Sequence, residues 1–446
     1  MTGSRDRRAA GACAALVLFT VLAGDFWRNT ISWYGFAAVT AALFVWTLVL
    51  LVRSRPRVRF WKLPVPLIGF LLLATLSLAW SRYPGVTAAG VGIQWATTVG
   101  ALFLALALTW REFVLALDRA LRAVLGLSLL FELVVSVFVR RPVLPFFTDY
   151  GDAKIPDAYY WSRDLLFEGG RIQGVVGNAN LLGMIALLAI IVFGVQLASV
   201  ERARRRDWIW PAVAVAVLVL TRSSTVLVAG VATVVVLLLA LLARRLAPRG
   251  RVVLLAVVAA AAVGAGAVLV TAAPAILALL GKSPDLTGRV DIWRAVTDLA
   301  VQRPLLGWGW SSYWAPWVEP FSGLAVRNGV EYLQAHNAYL DVWFQLGVFG
   351  AALFIGLVLS TVARAWWAAI DRPQRVPGEP LPYSAFDLLP LLVMTALVAQ
   401  SFAESRMLVE GGWVLLVTMA VATKLGTARS ESVSSAARPY SPALVD

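Results

Sequence analysis

VLVAGVATVVVLLLALL, residues 226–242, and VVLLAVVAAAAVGAGAVLV, residues 252–270, decide the fold. Neither run carries a charge, and each approaches the ~20 apolar residues that a helix needs to cross a bilayer. A helix satisfies its backbone polar groups within its own segment, which is why such runs read as transmembrane helices. The same texture extends outward in both directions. Of 446 residues, 60% are hydrophobic and 14% charged, and the mean hydropathy is +0.78. The chain reads as an all-α, polytopic membrane protein of about twelve transmembrane helices. They are placed near 9–24, 31–52, 63–80, 88–108, 113–139, 175–199, 208–221, 222–243, 252–272, 338–363, 385–402 and 411–425.

The net charge of +14 does not indicate nucleic acid, because the basic residues form short clusters between apolar runs and build no basic domain. Alternating the loops sorts them. One side receives Arg5, Arg7 and Arg8, the Arg53–Lys62 cluster, Arg111, Arg202 to Arg206, Arg244 to Arg251, and Arg364 to Arg375; the other receives single arginines at 28, 82, 222 and 406. The positive-inside rule then puts both termini in the cytoplasm and both long loops outside. The lone cysteine, Cys13, excludes a disulfide framework and reads as a small buried residue.

A single domain is expected over 1–425, with a first outer loop at 140–170 and a main outer loop at 273–335, followed by a Ser-, Ala- and Pro-rich tail, 426–446, that reads as disordered. The main loop is the long polar excursion in an apolar chain, so chemistry is sought there. Within it Val290–Val301 places Ile292, Trp293, Val296, Leu299 and Ala300 on one face after a cap at Thr287. This amphipathic helix is expected to lie across the outer membrane face, with Trp308, Trp310, Trp314 and Trp317 near the headgroups.

Arg289 opens that helix against the macrodipole, at a cost of about 0.3–1 kcal/mol. A helix start and an arginine fork together suit a phosphate or diphosphate; a headgroup anchor or an ion pair to Asp285 or Asp291 is the plainer alternative. His336, the chain's only histidine, stands directly before a span, with Asn337 available as its cap. A histidine can take a proton from an attacking hydroxyl, or it can simply bond a carbonyl at the interface. With no second histidine or cysteine beside it, no metal site is expected. Arg222, in LTRSST, lies at the hydrocarbon edge, where it either snorkels or holds an anion. Arg171 opens RIQGVVGNAN, whose Asn178 and Asn180 need partners across helices or in a substrate. Glu404, Arg406 and Glu410 fill the last outer loop, where Glu404 is a polar candidate for substrate contact and an ion pair with Arg222 or Arg289 is the plain reading. Motifs for an NTPase, a serine hydrolase, a zincin or a metal-dependent sugar-nucleotide transferase are lacking, and no cofactor is implied.

In order, RIQGVVGNAN (171–180), LTRSST (220–225), LTGRVDIWRAVTDLAVQRPLLGWGWSSY (286–313) and AHNAYLDVWFQLGVFG (335–350) resemble the O-antigen ligase and O-antigen polymerase-like superfamily of bacterial envelope proteins. The resemblance covers about Arg171 to Gly350; the earlier spans match only in hydrophobicity. It implies an enzyme of the bacterial cytoplasmic membrane that moves a glycan from a polyprenyl-diphosphate carrier to a glycan or glycolipid acceptor, on the outer face. It puts the family's catalytic histidine on His336, its two diphosphate-binding arginines on Arg222 and Arg289, and the arginine opening the glycine–asparagine motif on Arg171. Thr221 departs from the family's usual serine but keeps a hydroxyl. A repeat-unit polymerase needs the same cations and base as a ligase. A transporter or flippase for an anionic lipid is the rival of a different class, opposed by the absence of related halves. A transferase using polyprenyl-monophosphate sugars would lean on acidic residues in the first outer turn, where only Asp25 stands.

Overall fold

The computed structural model describes residues 4–56, 60–148, 155–261, 264, 289–327, 330–372 and 381–428. Helices occupy Ser4–Leu22, Gly24–Ser54, Val65–Leu76, Pro84–Leu106, Trp110–Val134, Ala179–Ala198, Ile209–Thr221, Ser224–Arg245, Arg289–Ala300, Ala338–Ile370, Leu389–Ser401 and Glu410–Leu425. Every expected span coincides with one of these except that at 252–272, where the backbone is helical through 261. The rest of that span, apart from residue 264, lies outside the described residues. So do Asp285 and the cap at Thr287, loop residues 149–154 and 273–288, and the tail beyond 428. Gly24–Ser54, Pro84–Leu106, Trp110–Val139, Ala179–Ala198, Ser224–Arg245 and Ala338–Ile370 are long and apolar enough to cross a membrane. The chain is a multi-pass all-α membrane protein. Cys13 is fully buried, as its position implied.

Helix starts are set by side chains that satisfy otherwise orphaned N–H groups. Thr109 and Glu112 close a capping box at the head of Trp110–Val134. The long helix Ala338–Ile370 breaks at Gly347, which has φ +65°. There a Cβ would stand 2.1 Å from the Leu305 carbonyl, so only glycine admits the loop. That loop satisfies the groups freed by the break: Trp308 N and Gly309 N donate to the carbonyls of Phe344 and Gln345, and Val348 N donates to Pro304 O. In this way RPLLGWG docks onto the helix that His336 precedes.

The helix Arg289–Ala300 forms close to the expected range and buries Ile292, Val296 and Ala300. It faces a second, small core with Tyr83, Trp314, Phe321, Ala335 and Phe344. Here the expectation for the tryptophans is corrected. Trp310 is 0% and Trp314 2% exposed. Trp310 packs edge-on against Phe70, and Trp314 donates its indole N–H to the buried Asp341 carboxylate at 3.0 Å. Trp308 is half-buried and donates its indole N–H to Leu299 O at 2.9 Å, while Trp317, at 79% exposure, remains open for the interface. Two fused rings with one N–H each are as well suited to a core with a buried acceptor as to a headgroup layer, and composition does not separate the two.

The helix Glu410–Leu425 packs against Ser4–Leu22, Pro84–Leu106 and Ala338–Ile370, while Leu389–Ser401 packs against Ala179–Ala198, Ser224–Arg245 and Ala338–Ile370. The short link between them, residues 402–409, therefore emerges in the middle of the bundle. That placement puts Glu404 against the elements that carry Asn180, Arg289 and His336.

Candidate functional site

Three helices enter the site by the same backbone device: a residue in the left-handed region, then an N-cap whose side chain accepts from the first turn. The pairs are Gly177–Asn178, Arg222–Ser223 and His336–Asn337, with φ of +61°, +46° and +50° at the first member. Asn178 Oδ1 accepts from Asn180 N and Leu181 N; Ser223 Oγ accepts from Val226 N; Asn337 Oδ1 accepts from Tyr339 N and Leu340 N. Glycine takes that conformation freely, whereas a residue with a Cβ pays about 1–2 kcal/mol. Finding arginine and histidine there rather than glycine marks both as placed against local preference, a pattern that clusters at functional positions.

Glu404 is the hub. It is 5% exposed, and its carboxylate is fully subscribed by donors from four directions. Oε1 accepts from Asn180 Nδ2 and Arg289 Nη2, both at 3.2 Å. Oε2 accepts from Gln334 Nε2 at 3.1 Å and pairs with His336 Nδ1 at 2.9 Å. Burial pushes this carboxyl upward, but the hydrogen bond of His336, its charge whenever the ring is protonated, and then Arg289 and Arg406 outweigh it and hold Glu404 below the ordinary carboxylate range. An ionised carboxylate only accepts, so Nδ1 of His336 carries the hydrogen. When the ring is neutral the other nitrogen, Nε2, carries the lone pair, and it has no hydrogen-bond partner among the described residues. A base oriented through one nitrogen by a carboxylate, with the other turned to the reactant, is a recurring arrangement for proton abstraction.

Asn180 relays this hub to the neighbouring spans. Its Oδ1 accepts from Arg171 Nη2 at 2.6 Å and from Ser223 Oγ at 2.9 Å. Arg171 also donates from Nε to the Thr221 carbonyl at 3.1 Å. Burial and then the charge of Arg163 push the Arg171 guanidinium down from its ordinary value. Arg222 stands at the exposed gap between Ile209–Thr221 and Ser224–Arg245, beside Gly169, where a Cβ would meet its Nη2 at 3.4 Å. Among the described residues its side chain has no hydrogen-bond or ion-pair partner. A cation at the junction of two apolar helices, with no internal anion among the described residues, is available to a ligand's charge.

Of the residues singled out in the sequence, His336, Arg289, Glu404, Asn180 and Arg171 are joined in one chain of contacts, and Arg222 adjoins it through Ser223. The ion pair expected for Glu404 is with Arg289. Asn178 and Asn337 spend their amide oxygens on helix caps. Two features were not read from the sequence. Gln334 had no signal beyond being a polar residue near the histidine. The second was a further charged cluster: Arg28 donates to Asp25 at 2.8 Å and to Glu410 at 3.2 Å, and Arg406 donates to Glu410 at 3.3 Å and to Tyr313 Oη at 2.8 Å. Its members lie nearly 400 residues apart, so only the fold reveals the pairing. Two arginines against two carboxylates leave it internally balanced, a tie between helix ends rather than an anion site. A cavity of about 100 Å³ lies elsewhere, between Ser4–Leu22, Gly24–Ser54, Pro84–Leu106 and Glu410–Leu425. Its lining is apolar apart from threonines, of which Thr40 and Thr97 bond carbonyls of their own helices. It holds no group able to do proton chemistry.

Comparison with known proteins bears on this site. Residues 209–355, which carry Arg222, Arg289, Gln334 and His336, match the family model described as O-antigen ligase. Over 385 residues the chain is 23% identical to the exopolysaccharide production protein ExoQ of Rhizobium meliloti (strain 1021), an overlap of 82% of this chain and 79% of that protein.

Proposed function

We propose that this chain, a member of the O-antigen ligase-like superfamily with a role in envelope polysaccharide biosynthesis, transfers a glycan from a polyprenyl-diphosphate carrier to an acceptor hydroxyl at the outer face of the cytoplasmic membrane. The observation that carries the reading is the Glu404–His336 pair with Arg289 on the same carboxylate. It supports a base, its orienting group and a cation within one hydrogen-bonded unit. The acceptor O–H gives its proton to Nε2 of His336 as its oxygen attacks the anomeric carbon. The bond from that carbon to the diphosphate oxygen breaks, and the diphosphate leaves with the electron pair. Arg222 and Arg289 hold the charge that grows on it, a task worth a few kcal/mol per well-placed donor. A single in-line displacement inverts the anomeric centre. Arg171 and Asn180 keep the Arg222 gap in register with Glu404.

The same base and cations serve a second reading within the same chemistry, in which the acceptor is another lipid-linked repeat unit and the protein a polymerase; a relative named for exopolysaccharide production is compatible with either. Purified protein in liposomes with a lipid-linked donor tests the transfer reading. Conversion without an ion gradient is expected for the wild type. His336→Ala is expected to abolish conversion while donor binding persists. Lost binding with intact turnover of bound donor overturns the assignment of the base, and transport without conversion overturns the enzyme. Long lipid-linked chains accumulating in a deletion strain indicate a ligase; single repeats indicate a polymerase.

A further inference from the structure

Gln334 lies two residues before His336 and reaches across to the opposite loop. Its Nε2 donates to Glu404 Oε2 at 3.1 Å, and its Oε1 accepts from the backbone N–H of Ser405 at 2.9 Å. One primary amide thus grips both the carboxylate and the peptide that follows it. Only one orientation of that amide satisfies both contacts, since Ser405 N must donate and the carboxylate must accept. The two residues that follow Gln334 are fixed as well. Ala335 is fully buried; its N–H donates to Asp341 Oδ2 at 3.1 Å, and its carbonyl accepts from Trp293 Nε1 at 3.1 Å. His336 then meets the same Oε2 that Gln334 holds.

We propose that Gln334 is a positioning residue: it locks the Glu404 carboxylate so that His336 is kept as the Nδ1–H tautomer with Nε2 facing the acceptor. Glutamine fits this place because it supplies a donor and an acceptor on one rigid group without charge. Glutamate would set a second carboxylate against Glu404, and methionine would fill the space with neither contact. Among the described residues, the charged and titratable groups facing the imidazole are Glu404 from the loop 402–409, with Arg289 beyond it from its own helix, and Tyr332, whose ring lies 5.2 Å from that of His336. Extra negative charge at position 334 therefore acts on a small, defined set.

This inference builds on the transfer reading for its purpose, but its test needs no substrate. His336 is the only histidine in the chain, so protein labelled with ¹⁵N-histidine, in detergent or nanodiscs, gives one imidazole whose tautomer and titration are read directly by NMR. The wild type is expected to show the Nδ1–H form when neutral. Gln334→Glu is expected to raise the titration midpoint by about one pH unit, since an added anion favours the imidazolium. Gln334→Met is expected to leave the midpoint closer to wild type but to admit the Nε2–H form. In the liposome assay both variants should lower kcat about tenfold or more, with donor KM little changed. A wild-type Nε2–H tautomer overturns the proposal even if a variant fails to fold, as does an identical tautomer and midpoint in all three proteins. Absence of turnover in the wild type instead overturns the transfer reading and leaves the NMR result standing.

Discussion

Glu404 holds His336 and Arg289 on opposite oxygens of one buried carboxylate, at 2.9 and 3.2 Å. The group that orients the base and the group that neutralises the candidate diphosphate-binding cation are the same. Glu404→Gln separates these roles from simple packing, because the amide has nearly the same shape. Its NH₂ would face donors already present, and the imidazole would lose its fixed tautomer. Transfer is expected to fall about 10²-fold or more. Stability is expected to fall by about 3 kcal/mol, as when one partner of a buried pair is removed. Turnover in liposomes and melting in detergent measure the two effects, and near-native turnover would deny Glu404 any part in the chemistry.

The same carboxylate sets an acid limit on stability. Its folded-state value is depressed, so its contribution is complete above the ordinary carboxylate value of 4.5. That contribution is lost only as pH falls below 4.5 through the folded value. Wild-type melting temperature is accordingly expected to have no Glu404-dependent slope above about pH 5 and to decline below it. In Glu404→Gln the acid decline should be shallower. Equal slopes for the two proteins below pH 5 would mean that Glu404 is not held ionised by its partners.

Arg289 and Arg222 are both candidate cations, but they differ in what they touch at rest. Arg289 neutralises a buried partner, so Arg289→Ala is expected to lower melting temperature and transfer together. Arg289→Lys keeps the charge and much of the stability but loses the planar fork, and transfer is expected to stay at least tenfold down. Wild-type turnover in Arg289→Lys would reduce this arginine to an ion-pair partner of Glu404.

Most of the architecture was legible because apolar runs and helix caps are local properties. The span boundaries, the cap at Asn337 and the helix over 289–300 are each encoded within one or two turns. The site was legible only in its parts. His336, Arg289 and Arg222 are odd residues in their own neighbourhoods, so each could be singled out alone. That His336 and Arg289 converge on Glu404, with Arg222 adjoining through Ser223, depends on the packing of Leu389–Ser401 and Glu410–Leu425 into the middle of the bundle, which no short stretch specifies. The tryptophans of GWGWSSYW failed as markers of the interface for a related reason. A glycine break forty residues downstream, at Gly347, opens the backbone onto which that loop folds, and it buries Trp310 as it does so. Gln334 is the extreme case, an ordinary polar residue until the opposite loop arrives.

Arg222 gives the sharpest separation of stability from function. It occupies the left-handed region at φ +46° between two helices, and among the described residues its side chain has no partner. Glycine in its place keeps the turn, including the bond from its N–H to Val219 O at 3.1 Å, and removes the cost borne by a Cβ in that conformation. Against this stands the greater freedom of glycine in the unfolded chain, so the net gain is at most about 1 kcal/mol. Arg222→Gly is therefore expected to melt at or slightly above the wild-type temperature while transfer falls about 10²-fold, the loss of one well-placed charge on the departing diphosphate. Arg222→Ala should lose transfer equally but gain no stability, because alanine keeps the Cβ. Parallel melting curves and liposome turnover for the three proteins decide the matter. A glycine variant that is both stable and fully active would remove Arg222 from the site and leave Arg289 and Arg171 as its cations.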